Sequence, residues 1–373
     1  MDAHTHIWNA QLGWSPPLPR ADERETLVMV FADPAMIDEP ANPLADVAAA
    51  FRGKAVLGCS TAGQLHDDIL SDRSVVVLVA TFERTLLRVA SVAVEPAGGA
   101  RRCGRQLGAQ LAEPGLRGVL VLSDGLDVNG TSLAAGISEE LPGVPISGGL
   151  AGDGDRFGST WVLVDGTPRS GWVTAVGFVG DHVELGFGSA GGWDIFGPER
   201  VVTRSFGNVL YELDNKPALS LYRDYLGDRA EGLPATALLF PLSVRDLDGR
   251  TTVRTILAVD EATQSLRFAG DVPQGSVAQL MRASNDRLVD GAHRAAQMAS
   301  TGRERLAIAV SCVGRRLVLG QRTEEEIEAV IEALNHGTSV AGFYSYGELS
   351  PTDGTCDLHN QTMTVTTIAE SAA

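Results

Sequence analysis

Three stretches of the chain repeat one order of apolar and polar positions. The first begins with the short apolar run Leu27-Val-Met-Val-Phe31 and continues through a helical segment around Leu44 to Phe51. Ala55-Val-Leu-Gly-Cys-Ser-Thr-Ala-Gly63 then reads as a strand ending in small residues. Two more strands follow, Val75 to Phe82 and Leu87 to Val94. The second stretch has the same order: a strand at Gly118 to Leu122, a helix near Ser132 to Leu141, and a small-residue turn in Val144 to Asp153. It closes with strands at Thr160 to Val164 and Trp172 to Val179. The third opens with Leu306-Ala-Ile-Ala-Val310. Its helix carries Ile327, Val330, Ile331 and Leu334 at helical spacing, one apolar stripe. Thr323 with Glu326 predicts a capping box at its start, and Gly337 lies past its end. Ser339 to Glu348 repeats the turn, and Thr362 to Ile368 is a last strand.

The later strands of each stretch are joined by short turns and should pair antiparallel. Runs such as Val75-Val-Val-Leu-Val79 predict strands covered on both faces. A different region, about 185 to 300, separates the second and third copies. It holds a segment from Arg200 to Tyr225, strands at Val253 to Val259 and Leu266 to Ala269, and a helix from about Asn285 to Met298. The expectation is an α/β protein of two related halves, with mixed, largely antiparallel sheets, helices packed outside, and a repeated β-α-β-β-β unit. Residues 1–26 are polar and Pro-rich and read as a loosely ordered leader.

Bulk properties narrow the function. The 373 residues carry a formal net charge of -17, from 47 acidic against 30 basic side chains. Such a surface repels phosphate backbones and anionic membranes, so neither nucleic acid nor a membrane is an expected partner. No apolar stretch is long enough to span a bilayer and no signal peptide opens the chain, which makes the cytoplasm the expected location. The four cysteines, Cys59, Cys103, Cys312 and Cys356, form no CxxC pair. His4-x-His6 resembles the start of a metal-dependent amidohydrolase, but the remaining histidines do not follow strands in a barrel series. No metal and no cofactor are expected.

Four segments could carry chemistry. The turns Gly58 to Gly63 and Ser147-Gly148-Gly149 through Asp153 present backbone N–H groups that can hold an anion, or simply let sheets approach closely. Arg204 lies in the segment Val202 to Tyr225, where Asp214 or Asn215 can cap a helix starting near Pro217. Ser311 to Arg315 follows a buried strand. Tyr344-Ser-Tyr346-Gly-Glu348 and Cys356 to Thr362 complete the set. Cys312 or Cys356 with His359 is the candidate nucleophile pair, which would make the chain a hydrolase or transferase.

Taken in order, Gly58-Cys-Ser-Thr-Ala-Gly63, Ile146 to Asp153, Val202 to Ser205, Asp214-Asn-Lys-Pro-Ala218, Ser311 to Arg315, Tyr346-Gly-Glu348 and Leu358 to Thr362 resemble the FIST family, the F-box and intracellular signal transduction proteins. The resemblance runs from about 27 to 370. It implies a FIST N-like domain over 27–185 and a FIST C-like domain over 186–371. It also implies a sensor for small ligands such as amino acids, with a signalling protein partner, rather than an enzyme. If strands 306–310 and 339–343 are parallel neighbours, Arg315 and Glu348 end on one edge of the sheet. A pocket near Arg315, Tyr346, Glu348 and Asn360 is then expected, with Tyr344 as a wall and Arg204 joining from the preceding region. The alternative is that Arg315 and Glu348 pair with each other.

Overall fold

The computed structural model describes residues 1–352 and 354–371. The N-terminal strands are β1 (Asp2–Asn9) and β2 (Gly13–Ser15). The first repeat comprises β3 (Glu25–Ala32), α1 (Pro43–Ala50), β4 (Ala55–Ser60), the hairpin β5 (Gln64–His66) and β6 (Ile69–Ser71), then β7 (Val75–Phe82) and β8 (Leu86–Ala93). The second adds α2 (Ala100–Leu111) ahead of β9 (Leu116–Ser123) and α3 (Gly130–Glu140). It continues with β10 (Ile146–Leu150), the hairpin β11 (Val162–Val164) and β12 (Thr167–Arg169), β13 (Trp172–Val179) and β14 (Val183–Ala190). An insertion over 191–284 follows. The third repeat holds α4 (Asn285–Ala299), β15 (Leu306–Cys312), α5 (Val313–Leu319), α6 (Thr323–Ala333), β16 (Ser339–Ser345), the hairpin β17 (Gly347–Thr352) and β18 (Thr355–His359), and β19 (Met363–Glu370).

Each unit builds the centre of one sheet from a parallel pair with an antiparallel neighbour: β4-β3-β7, β10-β9-β13 and β16-β15-β19. The hairpin then leaves for the sheet of another unit. β5-β6 joins β16, β11-β12 joins β4, and β17-β18 joins β10. The fifth strand crosses the other way, so that β8 pairs with β13 and β14 with β19. The α/β repeat expected from the pattern is present, in three copies related by a pseudo-threefold arrangement.

At the centre the three small-residue turns interlock. Ala62 N–H donates to the Tyr344 carbonyl, Gly152 N–H to Ser60, and Tyr346 N–H to Leu150, at 2.9, 3.0 and 3.2 Å. Each unit therefore donates to one neighbour and accepts from the other. Gly58, Gly148 and Gly342 stand at one register position, opposite Val30, Val121 and Ala309. A side chain at any of them would strike the carbonyl oxygen of that opposing residue, which accounts for glycine at all three.

Residues 1–26 are not a loose leader. β1 pairs antiparallel with β7 over Asp2 to Trp8, and His6 and Trp8 are buried. It takes the place in the first sheet that β14 and β8 take in the other two. Among the described residues no fifth strand follows β19, and the Met1 ammonium lies 3.5 Å from Glu370. The N-terminal strand thus supplies from the other end of the chain what the third unit lacks. The local pattern Asp2-Ala-His-Thr-His is too polar to signal a strand; pairing with the apolar β7 overrides it.

Three further expectations change. Glu326 closes no capping box: Thr323 Oγ1 donates to the Gly320 carbonyl at 2.5 Å, and Glu326 turns into the core. Asp214 and Asn215 cap no helix. With φ of 49° and 62° they form a two-residue hairpin turn, and Asp214 accepts from Val201 N–H. Helix α2 has no counterpart among the expected elements. Gly104 and Gly108 on its buried face let α3 lie against it, beside the apolar row Cys103, Leu107 and Leu111.

The insertion is a sheet of nine short strands around a helix, Ala218–Leu226, with its own apolar core of Val202, Leu210, Tyr222, Ile256, Phe268 and neighbours. It docks on unit three. The Arg254 guanidinium donates to the Leu358 carbonyl (2.9 Å), Asn360 Oδ1 accepts from Thr255 N–H (3.2 Å), and Gln361 Nε2 donates to the Leu238 carbonyl (2.9 Å).

Candidate functional site

The polar residues singled out in the C-terminal half are nearly all interior, and they divide into three clusters. In the first, the Glu326 carboxylate accepts from Arg315 Nε (3.0 Å) and Nη2 (2.8 Å), Ser311 Oγ (3.0 Å) and the Tyr344 hydroxyl (2.5 Å). All four side chains are enclosed. Arg315 also donates to the Leu288 carbonyl at 2.7 Å and to that of Gly191 at 3.3 Å. It therefore ties α5 and α6 to the start of α4 and to the point where the chain enters the insertion. Its ion-pair partner is Glu326, not Glu348.

The second cluster surrounds Glu348. Ser345 Oγ donates to Oε1 at 2.6 Å, while Thr362 donates to Oε2 from its hydroxyl (3.1 Å) and its N–H (3.2 Å). Burial pushes the carboxyl up to about 8, against the opposing pull of these hydrogen bonds and of Arg315. Unit one builds the same arrangement with an amide. The Gln64 carboxamide lies 2.6 Å from Thr61 Oγ1 and 2.9 Å from Ser74 Oγ. By strand register Thr61, Gln64 and Ser74 correspond to Ser345, Glu348 and Thr362. Unit two has Ala151, Gly154 and Trp172 instead.

Unit two departs from its sisters in another way. Where β4 and β16 run almost directly into their hairpins, eleven residues separate Leu150 from Val162. This loop folds back through Asp153, whose carboxylate accepts from Gly158 N–H (2.7 Å), Ser159 N–H (2.9 Å) and the Tyr346 hydroxyl. Phe157 stacks on the Tyr346 ring with centroids 4.9 Å apart. Burial and the adjacent Asp153 raise the phenol well above its ordinary value. From the other side Asn360 Nδ2 donates to the Tyr346 carbonyl at 3.3 Å, and Asn360 is held by the insertion. The loop and the insertion, two features that depart from the threefold repeat, thus meet at Tyr346. The pattern Ile146 to Asp153 flagged this turn, but the long-range pairing of Asp153 with Tyr346 has no local signal.

Other expected residues lie elsewhere. Arg204 sits half-exposed on the insertion, paired with Glu212 at 3.0 Å and lying over Tyr211; it shares no partner with Arg315. Ser147, Gly148 and Gly149 are buried within β10, where Gly149 faces Val310 and Phe343. The thiols are not primed as nucleophiles. Cys312 takes backbone N–H groups from Gly314 and Gln361, and burial raises it far above its usual value. Asp33 and Asp124 occupy the equivalent positions and accept from the N–H two residues on. Cys312 therefore does a turn-closing job that aspartate does twice elsewhere. Cys356 contacts its neighbour's carbonyl and is likewise raised by burial, whereas His359 Nε2 meets Thr352 Oγ1 at 3.3 Å. Among the described residues no group of three or more His, Cys, Asp or Glu is arranged to hold a metal, and no helix is long and apolar enough to cross a membrane.

Two family models, one N-terminal and one C-terminal, together span most of the interlocked units and the inserted sheet. The FIST N domain matches residues 26–216 and the FIST C domain residues 218–351, so the chain belongs to the FIST family. Domains of this family are associated with sensory and signal-transduction functions. The boundary between the matched regions falls inside the insertion, beside the Asp214-Asn215 turn. An uncharacterized protein of Mycobacterium bovis is 25% identical over 367 residues, covering 92% of this chain and 90% of its own. One from Mycobacterium tuberculosis is 26% identical over 254 residues, 65% of this chain and 66% of its own length. A third, from Methanocaldococcus jannaschii, is 24% identical over 204 residues, 51% of this chain and 39% of its own.

Proposed function

We propose that the chain is a small-ligand-binding sensory protein with its site at Tyr346, beneath the loop 151–161 and beside the insertion. The observation that carries this reading is the meeting of two symmetry-breaking features at one residue. A scaffold built three times over needs neither of them for packing, since the turn of unit one closes without either.

The ligand class is a free amino acid. Asp153, released from Tyr346, would take an ammonium group. Arg156, whose Nε now donates to the Asp153 carbonyl at 2.6 Å, would take a carboxylate. Tyr346 and Asn360 would orient the remainder. The buried clusters around Glu326 and Glu348 support the walls rather than touch the ligand. The output passes to a partner protein. Nothing in the thiol geometry favours the cysteine-enzyme alternative.

A thermal-shift screen of the twenty amino acids tests the reading. At least one should raise the midpoint, by the equivalent of about 2.7 kcal/mol when present at a hundred times its Kd. Tyr346→Phe and Asp153→Asn should remove that response. No response to any amino acid from a cooperatively folding protein would overturn it.

A further inference from the structure

β1 stands where the third unit's fifth strand would, tied to that unit by non-covalent contacts alone. Its central residue, His6, is 5% exposed. Nδ1 lies 3.1 Å from the Pro16 carbonyl and is therefore the protonated nitrogen; Nε2 is buried without a partner. The equivalent positions on the other two fifth strands are Ala90 and Gly188, neither titratable. Opposite His6 on β7 stands Val77. The charges that bear on it are the exposed His4 on its own strand and His66 on β5, both imidazoles. Nδ1 of His66 is also buried and unpartnered, and its Nε2 lies 3.8 Å from Asp67, which in turn holds Thr5 at 3.4 Å. Residues 16 and 17 contribute only carbonyls.

From this cluster we infer that β1 is an acid-released strand: protonation of His6 undocks it from β7 and leaves the rest of the fold in place. A second proton on His6 has no acceptor at Nε2, no carboxylate beside it and two like charges nearby. Burial already lowers its affinity for that proton. Because the docked pKa is depressed, the released strand binds the proton more readily. Docking is then at full strength above about 6.5, the ordinary histidine value, and weakens as the pH falls below it.

Hydrogen exchange of the full chain at pH 7.5 and pH 5.5, corrected for intrinsic rates, reads this directly. Protection over residues 2–9 should fall at the lower pH, by up to about tenfold, while β9 and β15 keep theirs. His6→Gln and His6→Ala should each remove the pH dependence of residues 2–9. Equal protection at both pH values, loss spread over all strands alike, or an unchanged acid response in whichever variant folds would each overturn the inference.

Discussion

Glu348 and Gln64 stand at the same place in two units, and only one of them can carry charge. Its hydroxyl partners are matched in unit one, so the site asks for a neutral hydrogen-bonding group. With a folded value of about 8 against an ordinary 4.5, the carboxyl favours folding when protonated. That advantage is complete below about 4.5 and is lost as the pH rises towards 8. Glu348→Gln should therefore gain on the wild type by about 1.4 kcal/mol per pH unit across that window and then plateau; denaturant melts from pH 4 to 9 would show it. Arg315 behaves differently. Arg315→Ala leaves Glu326 buried and unpaired, and should cost about 3–5 kcal/mol. Combined with Glu326→Gln it should cost clearly less than the sum of the single changes. Arg315 and Glu348 were legible as candidates for a ligand pocket because both lie just beyond short apolar strands; their enclosure in the core was not. Nor were their partners. Glu326 sits in a Thr-x-x-Glu pattern whose local meaning is a cap, and only the folded chain brings Arg315 within reach of it.

At the scale of elements, the parallel strand pairs and their helices could be read from periodicity, since each buries a continuous apolar face. β1 could not. Four of its first five residues are polar, so it shows no strand period, and its partner β7 lies some seventy positions away. Trp8, 4% exposed beside Val28, Val30 and Val77, anchors it. Trp8→Ala should cost about 3–5 kcal/mol. Deletion of residues 2–15 should cost at least as much, because it also bares the edge of β7. Thermal melts of both variants check this, and a midpoint unmoved by the deletion would return these residues to the status of a leader. The insertion was hard to read for a related reason. Its strands are two to seven residues long and paired through bulges, so no window holds a period.

For the whole molecule, the threefold repeat was visible as a recurring order of elements. The exchange of hairpins and fifth strands between sheets was not, because nothing local says which sheet a hairpin will join. Since Met1 and Glu370 already touch, a circular permutant joining the ends through a short linker, with new ends in the exposed 112–115 turn, should fold. Its melting midpoint should match or exceed that of the wild type, since β1 would then be covalently continuous with β19.

The ring of three backbone bonds among Ala62, Gly152 and Tyr346 has a last consequence, for cooperativity. No unit owns a complete sheet, so no unit can melt alone without stripping strands from both neighbours. The regions 26–216 and 218–351 should thus share one calorimetric transition, with van't Hoff and calorimetric enthalpies in agreement. Severed at the Asp214-Asn215 turn and produced separately, each piece would carry orphaned strand edges and aggregate; produced together, they would reassemble.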